Sequence, residues 1–84
     1  MPTYTRLPRF DRDFAALTPE ERRQFAKAVG KGLRVKGVQG SRGVYEMTWA
    51  PNGRATFSYG TSIRDGDPHV IWRRVGKHRI LGSA

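Results

Sequence analysis

Glu46 stands apart from the other carboxylates. It is the only one between the stretch Asp13 to Glu21 and the loop carrying Asp65 and Asp67, and cations surround it in sequence. Such a group can take a proton from a substrate hydroxyl where the geometry favours transfer. The plain alternative is a cross-strand ion pair with Arg54, worth little if exposed. His78, in Val75-Gly76-Lys77-His78-Arg79, is the second titratable candidate. A histidine between Lys77 and Arg79 can serve as an acid near neutral pH. Arg34, Lys36, Arg54, Arg73 and Arg74 add cations on or beside the same strands. His69, in Asp67-Pro68-His69, reads as a turn or edge residue. Two His and no Cys make a metal site improbable. No Gly-rich loop follows a strand and opens a helix, and no Ser or Cys sits in a nucleophile motif. The set that remains suits metal-free RNA cleavage. There the RNA's own 2′-hydroxyl attacks, and the protein supplies a base, an acid and cations around the dianionic phosphorane.

The charge balance points to the same class of partner. Sixteen Lys and Arg against seven Asp and Glu give +9 over 84 residues. Residues 26–84 hold eleven of the cations against Glu46, Asp65 and Asp67, so +8 of the charge lies there. Twelve of the sixteen are Arg, which grips phosphate bidentately and stacks on bases. The length allows one domain, residues 1–84, with a thin core. Absence of Cys excludes a disulfide scaffold. No apolar run approaches the ~20 residues of a membrane span and no secretory signal is evident, so a cytoplasmic protein without membrane contact is expected.

These side chains need elements to hold them. Tyr4-Thr5-Arg6-Leu7 can form a short edge strand stopped by Pro8. Phe10, Phe14 and Leu17 then recur at helical spacing, predicting a short helix from about Asp11. Thr18-Pro19-Glu20-Glu21 has a Thr N-cap, Pro at the first helical position and Glu three residues past the cap, and that helix should run to Gly30 and Gly32. The period then changes to two. Leu33 to Lys36, Val44 to Trp49, Arg54 to Tyr59 and His69 to Val75 read as strands, the last apolar on both faces.

For the hairpin, a three-residue loop Pro51-Asn52-Gly53 with Gly53 left-handed is expected. It pairs Trp49 with Ala55, Met47 with Phe57 and Tyr45 with Tyr59 on an apolar face. Glu46, Thr48, Arg54, Thr56 and Ser58 then share the polar face. Trp49 is expected in the core; Trp72 is left open between core and base stacking.

The order of two short helices, a strand, a hairpin and a last strand ending in Gly76-Lys77-His78-Arg79 resembles the RelE/ParE superfamily of bacterial type II toxins. Phe10 to Phe14 with Leu17, the helix start at Thr18, and Leu33 to Lys36 carry the resemblance. Val44 to Trp49, Asn52 to Phe57 and His69 to Gly76 complete it, the last three blocks being similar to a RelE-like subgroup of actinobacteria and their phages. The resemblance implies an α+β fold, two short N-terminal helices packed on a curved antiparallel sheet of about four strands. It implies a ribosome-associated mRNA endonuclease that leaves a 2′,3′-cyclic phosphate, with no cofactor, mRNA in the ribosomal A site as substrate and a cognate antitoxin as partner.

Residue by residue, Glu46 matches the general base, Arg54 the arginine on the scissile phosphate and His78 the catalytic position after the last strand. Arg34, Lys36, Arg73, Arg74, Lys77 and Arg79 would be RNA or phosphate ligands. Two departures stand out: Ile80 to Ala84 contains no Tyr where many members have one, and only Gly30-Lys31-Gly32 separates Val29 from Leu33. They favour an alternative, a non-catalytic binding module of the same fold. A ParE-like gyrase poison is a further one, disfavoured because it needs no Glu and His pair.

Overall fold

Pro8 ends one element and begins the next. It has no N–H for a strand ladder, but its fixed φ suits the first turn of a helix. In the computed structural model, which describes residues 3–30, 35–37, 43–63, 66 and 68–83, strand β1 (Thr3–Arg6) stops before it and helix α1 (Pro8–Ala16) starts on it. The helix therefore begins three residues ahead of the expected Asp11, which lies in its first turn. Helix α2 (Pro19–Gly30) opens with the expected reciprocal cap. The Glu21 N–H donates to Thr18 Oγ1 at 3.1 Å, and the Thr18 N–H to Glu21 Oε1 at 2.9 Å. Strands β2 (Val35–Gly37), β3 (Tyr45–Ala50), β4 (Gly53–Gly60) and β5 (His69–Lys77) follow, then a 3-10 turn, His78–Ser83.

The strands form one sheet in the order β1-β5-β4-β3-β2. The architecture is α+β, two helices on a sheet, and strands β2 to β5 are antiparallel as expected. β1 adds a fifth strand at the edge, parallel to β5, so the sheet is mixed. A parallel neighbour requires a crossover, and the two helices with β2 to β4 supply it.

The hairpin departs from the expected register by two residues. Tyr45 pairs with Phe57, Glu46 with Thr56, Met47 with Ala55 and Thr48 with Arg54. The ladder then shifts so that Ala50 pairs with Gly53 across Pro51-Asn52. Trp49 is the extra residue of this bulge. Its indole lies on Gly53, where a Cβ would come within 2.6 Å of ring carbons. Gly53 is thus required for close approach; its φ is not positive, contrary to the left-handed conformation expected. A two-residue shift leaves every side chain on its expected face.

The helices cover the face carrying Met47, Trp49, Ala55, Phe57, Val70, Trp72 and Val75. Phe10, Phe25 and Leu17 meet them from above. Phe25 stands edge-on to Trp72 at 5.3 Å and to Trp49 at 6.5 Å, and Phe57 meets Trp72 at 5.4 Å. Trp72, left open above, is therefore core, as Trp49 is. Among the described residues no helix is long and apolar enough to cross a membrane.

Candidate functional site

Period two along β3 and β4 sets Glu46, Thr48, Arg54, Thr56 and Ser58 on the face away from the helices. A cross-strand row runs Lys36, Glu46, Thr56, Arg74 in register. The next row toward the hairpin is Thr48, Arg54, Gly76. Glu46 and Arg54 are thus diagonal neighbours, about 7–8 Å apart at Cα. Glu46 is partly exposed and forms no ion pair with any described side chain, so the cross-strand pair with Arg54 is not formed. Thr56 between them is fully buried, and its hydroxyl finds no partner among the described residues.

Arg54 is held by the hairpin it follows. Its Nη1 donates to the carbonyls of Gly53 at 2.9 Å and of Ala50 and Pro51 at 3.3 Å. The same turn fixes His78, whose backbone N–H donates to the Asn52 carbonyl at 2.9 Å. Arg54 and His78 are therefore fastened to one four-residue segment. His78 itself is exposed at the start of the 3-10 turn. It lies two strands and four residues from Glu46, about 16 Å at Cα from strand spacing and rise. Arg54 stands between the two.

The remaining cations divide. Arg74 turns to helix α1, where its Nε and Nη2 donate to the Asp13 carboxylate at 2.9 and 3.0 Å, and the Val75 N–H adds a third bond at 3.3 Å. The β4–β5 ladder is irregular beside this tie: Trp72 faces Phe57 and Arg74 faces Thr56, leaving Arg73 as the extra residue. Burial alone would raise the Asp13 carboxyl, but the bonds from Arg74 and Val75 and the Arg74 charge outweigh it and hold it below the ordinary aspartate value. Arg74, expected as a phosphate ligand, is an internal tie.

Lys77 is drawn to α2 in the same way, 3.0 Å from Glu21. The N–H of Thr18 and the ammonium of Lys77 keep the Glu21 carboxyl low. Arg79 is exposed on the 3-10 turn. Arg34 lies outside the described residues, and of Lys36 only its place opposite Glu46 is described.

His69 is no turn residue. It is buried at the first position of β5, with Thr3 Oγ1 2.6 Å from Nδ1 and Thr5 Oγ1 2.8 Å from Nε2. The hydroxyls rotate to match whichever nitrogen carries the proton, so the ring clamps β1 to β5. Sequence reasoning missed this clamp and Asp13 alike, since both partners lie more than sixty residues away. No three His, Asp or Glu side chains converge among the described residues.

No protein-family model and no curated protein sequence matches the chain. Solved structures do. The RelB-RelE antitoxin-toxin complex of Methanococcus jannaschii matches with a TM-score of 0.65 at 16% identity, over 94% of this chain and 95% of that one. The DinJ-YafQ complex of E. coli matches with 0.62 at 10% identity, over 96% and 98%. HP0894 of Helicobacter pylori matches with 0.64 at 14% identity, over 94% and 97%. The chain has the fold of the RelE-like toxins across nearly its whole length.

Proposed function

We propose that this chain is the toxin of a toxin-antitoxin pair and cleaves mRNA on the ribosome. Two of its structural neighbours are complexes of a toxin with its antitoxin, which supports an antitoxin partner. The observation that carries the chemistry is the arrangement of Glu46, Arg54 and His78. Arg54 lies between the other two, on a sheet face that carries no other acidic side chain among the described strand residues.

In this reading Glu46 takes the proton of a 2′-hydroxyl, whose oxygen attacks the adjacent phosphorus. Arg54, through the side of its guanidinium away from the turn, meets the charge that develops on the phosphoryl oxygens. His78 returns a proton to the departing 5′-oxygen. The P–O5′ bond breaks, leaving a 2′,3′-cyclic phosphate and a 5′-hydroxyl. Arg73, Arg79 and Lys36 would bind flanking phosphates. Positioning the strand across about 16 Å falls to the ribosome, which is why free RNA is expected to be a poor substrate.

The test maps mRNA 5′ ends by primer extension in a translation reaction. Cuts are expected only with ribosomes present, and Glu46→Gln or His78→Ala should each slow them by about 100-fold or more. Equal cutting by both variants removes the catalytic assignment. The engagement of Arg74 and Lys77 with helix carboxylates favours a second reading, a binding module of the same fold, and a folded chain that cuts nothing with ribosomes selects it. Gyrase-dependent DNA breaks would select a ParE-like activity instead.

A further inference from the structure

Among the described residues, two buried side-chain polar atoms have no hydrogen-bond partner, Trp49 Nε1 and Thr56 Oγ1. They differ in what surrounds them. The indole belongs to the core, seated over Gly53 and edge-on to Phe25. Thr56 stands in the row Lys36, Glu46, Thr56, Arg74 on the face away from the helices, and none of it is exposed. A hydroxyl buried without a partner destabilises the folded chain, because the hydrogen bonds it made to water are not replaced. Val would fill the same space with a similar preference for a strand and without that cost.

The row limits what this hydroxyl can meet. Its two direct cross-strand neighbours are Glu46 and Arg74. A guanidinium accepts no hydrogen bond, and that of Arg74 is turned to Asp13. A carboxylate accepts, so Glu46 is the neighbour that a hydroxyl donor fits. Paired positions have Cβ atoms about 4.5–5.5 Å apart, within reach of one rotation of the Glu46 side chain. In the free chain Glu46 is partly exposed, and water supplies its hydrogen bonds. An RNA strand laid over the face removes that water. Arg54, the diagonal neighbour, has Nη1 committed to the carbonyls of Ala50, Pro51 and Gly53.

We propose that Thr56 is a positioning residue: once RNA covers the face, its hydroxyl donates to one oxygen of Glu46 and turns the other toward the 2′-hydroxyl. The inference rests on the cleavage reading above. Thr56 itself touches no RNA, since none of it reaches the surface. The fold thus keeps a donor unpaired in the free state and uses it only when substrate is bound, a local cost in stability of the kind functional sites carry. An interaction made only after binding raises the maximal rate and leaves affinity alone.

The test measures rates of mRNA cutting over a range of programmed-ribosome concentrations, beside thermal melts of the free chain. Thr56→Val should lower the maximal rate by about tenfold and leave the half-saturating concentration within about twofold. The same variant should melt about 4–8 °C higher. Thr56→Ser, which keeps the hydroxyl and loses a methyl, should melt below wild type yet cut within about twofold of it. Rate and stability then run in opposite order, which a merely structural residue does not produce. In a Glu46→Gln background the Val change should add less than about twofold, because Thr56 acts through Glu46. Full-rate cutting by Thr56→Val, a lowered melting point for it, or Thr56→Ser as slow as Thr56→Val overturns the proposal. So does a Val loss that multiplies in full with that of Glu46→Gln. Those outcomes leave the cleavage reading standing; a wild-type chain that cuts nothing with ribosomes removes both.

Discussion

Asp13 and Arg74 lie 61 residues apart and meet at side chains about one-fifth exposed. Replacing Asp13 by Asn keeps the shape but leaves the guanidinium without its counter-charge, at a cost of about 2–3 kcal/mol, between the exposed and buried cases. The sign of the pH dependence follows from the depressed carboxyl. Stability from a lowered carboxylate is complete above the ordinary aspartate value and is lost as pH falls through the folded one. The gap between wild type and Asp13→Asn in urea melts should therefore be constant above about pH 5 and close as pH drops below about 4. A gap unchanged down to pH 2–3 would remove the charge from the account. Arg74 also shows why charge in a sequence does not translate into a binding surface. Its type is readable, but its direction depends on a helix far away in the chain.

Local signals at the element scale were legible, and tertiary ones were not. The cap of α2 involves Thr18 and Glu21 only, and it forms as the motif predicts. Thr18→Ala should cost about 1 kcal/mol, a fall of roughly 4–8 °C in the thermal midpoint. Phe10, Phe14 and Leu17 mark the inward face of α1 because helical spacing is itself local. The hairpin register was not legible, since it depends on the Trp49 indole seated over Gly53. Gly53→Ala would press a methyl into that ring and should cost about 1–3 kcal/mol with a changed Trp emission. A silent substitution there would show that the bulge has another cause. Glu46 and Arg54 still share their face, because a shift of two residues preserves the alternation that placed them. The separation of His78 from Glu46 could not be read from sequence, as it depends on the strand order.

For the whole molecule, stability rests on a small set of rings. Phe25 touches Phe10, Phe14, Trp49 and Trp72 and is the point at which α2 meets the sheet. Phe25→Ala should cost about 3–5 kcal/mol, out of the roughly 5–10 kcal/mol that a domain this small retains. Thermal melts followed by circular dichroism should show a midpoint lowered by more than about 12 °C; an unchanged midpoint would mean that the core lies elsewhere. The parallel pairing of β1 with β5 has a consequence in time. Synthesis proceeds from the N-terminal side at roughly 5–20 residues per second, and β5, the last of these five strands in chain order, is the one that joins β1 to β4. Before residues 69–77 emerge, β1 has no strand to pair with and β4 has a bare edge. The two parts of the sheet therefore stay apart until β5 is available to join them, and the helices have no complete face to pack on before then.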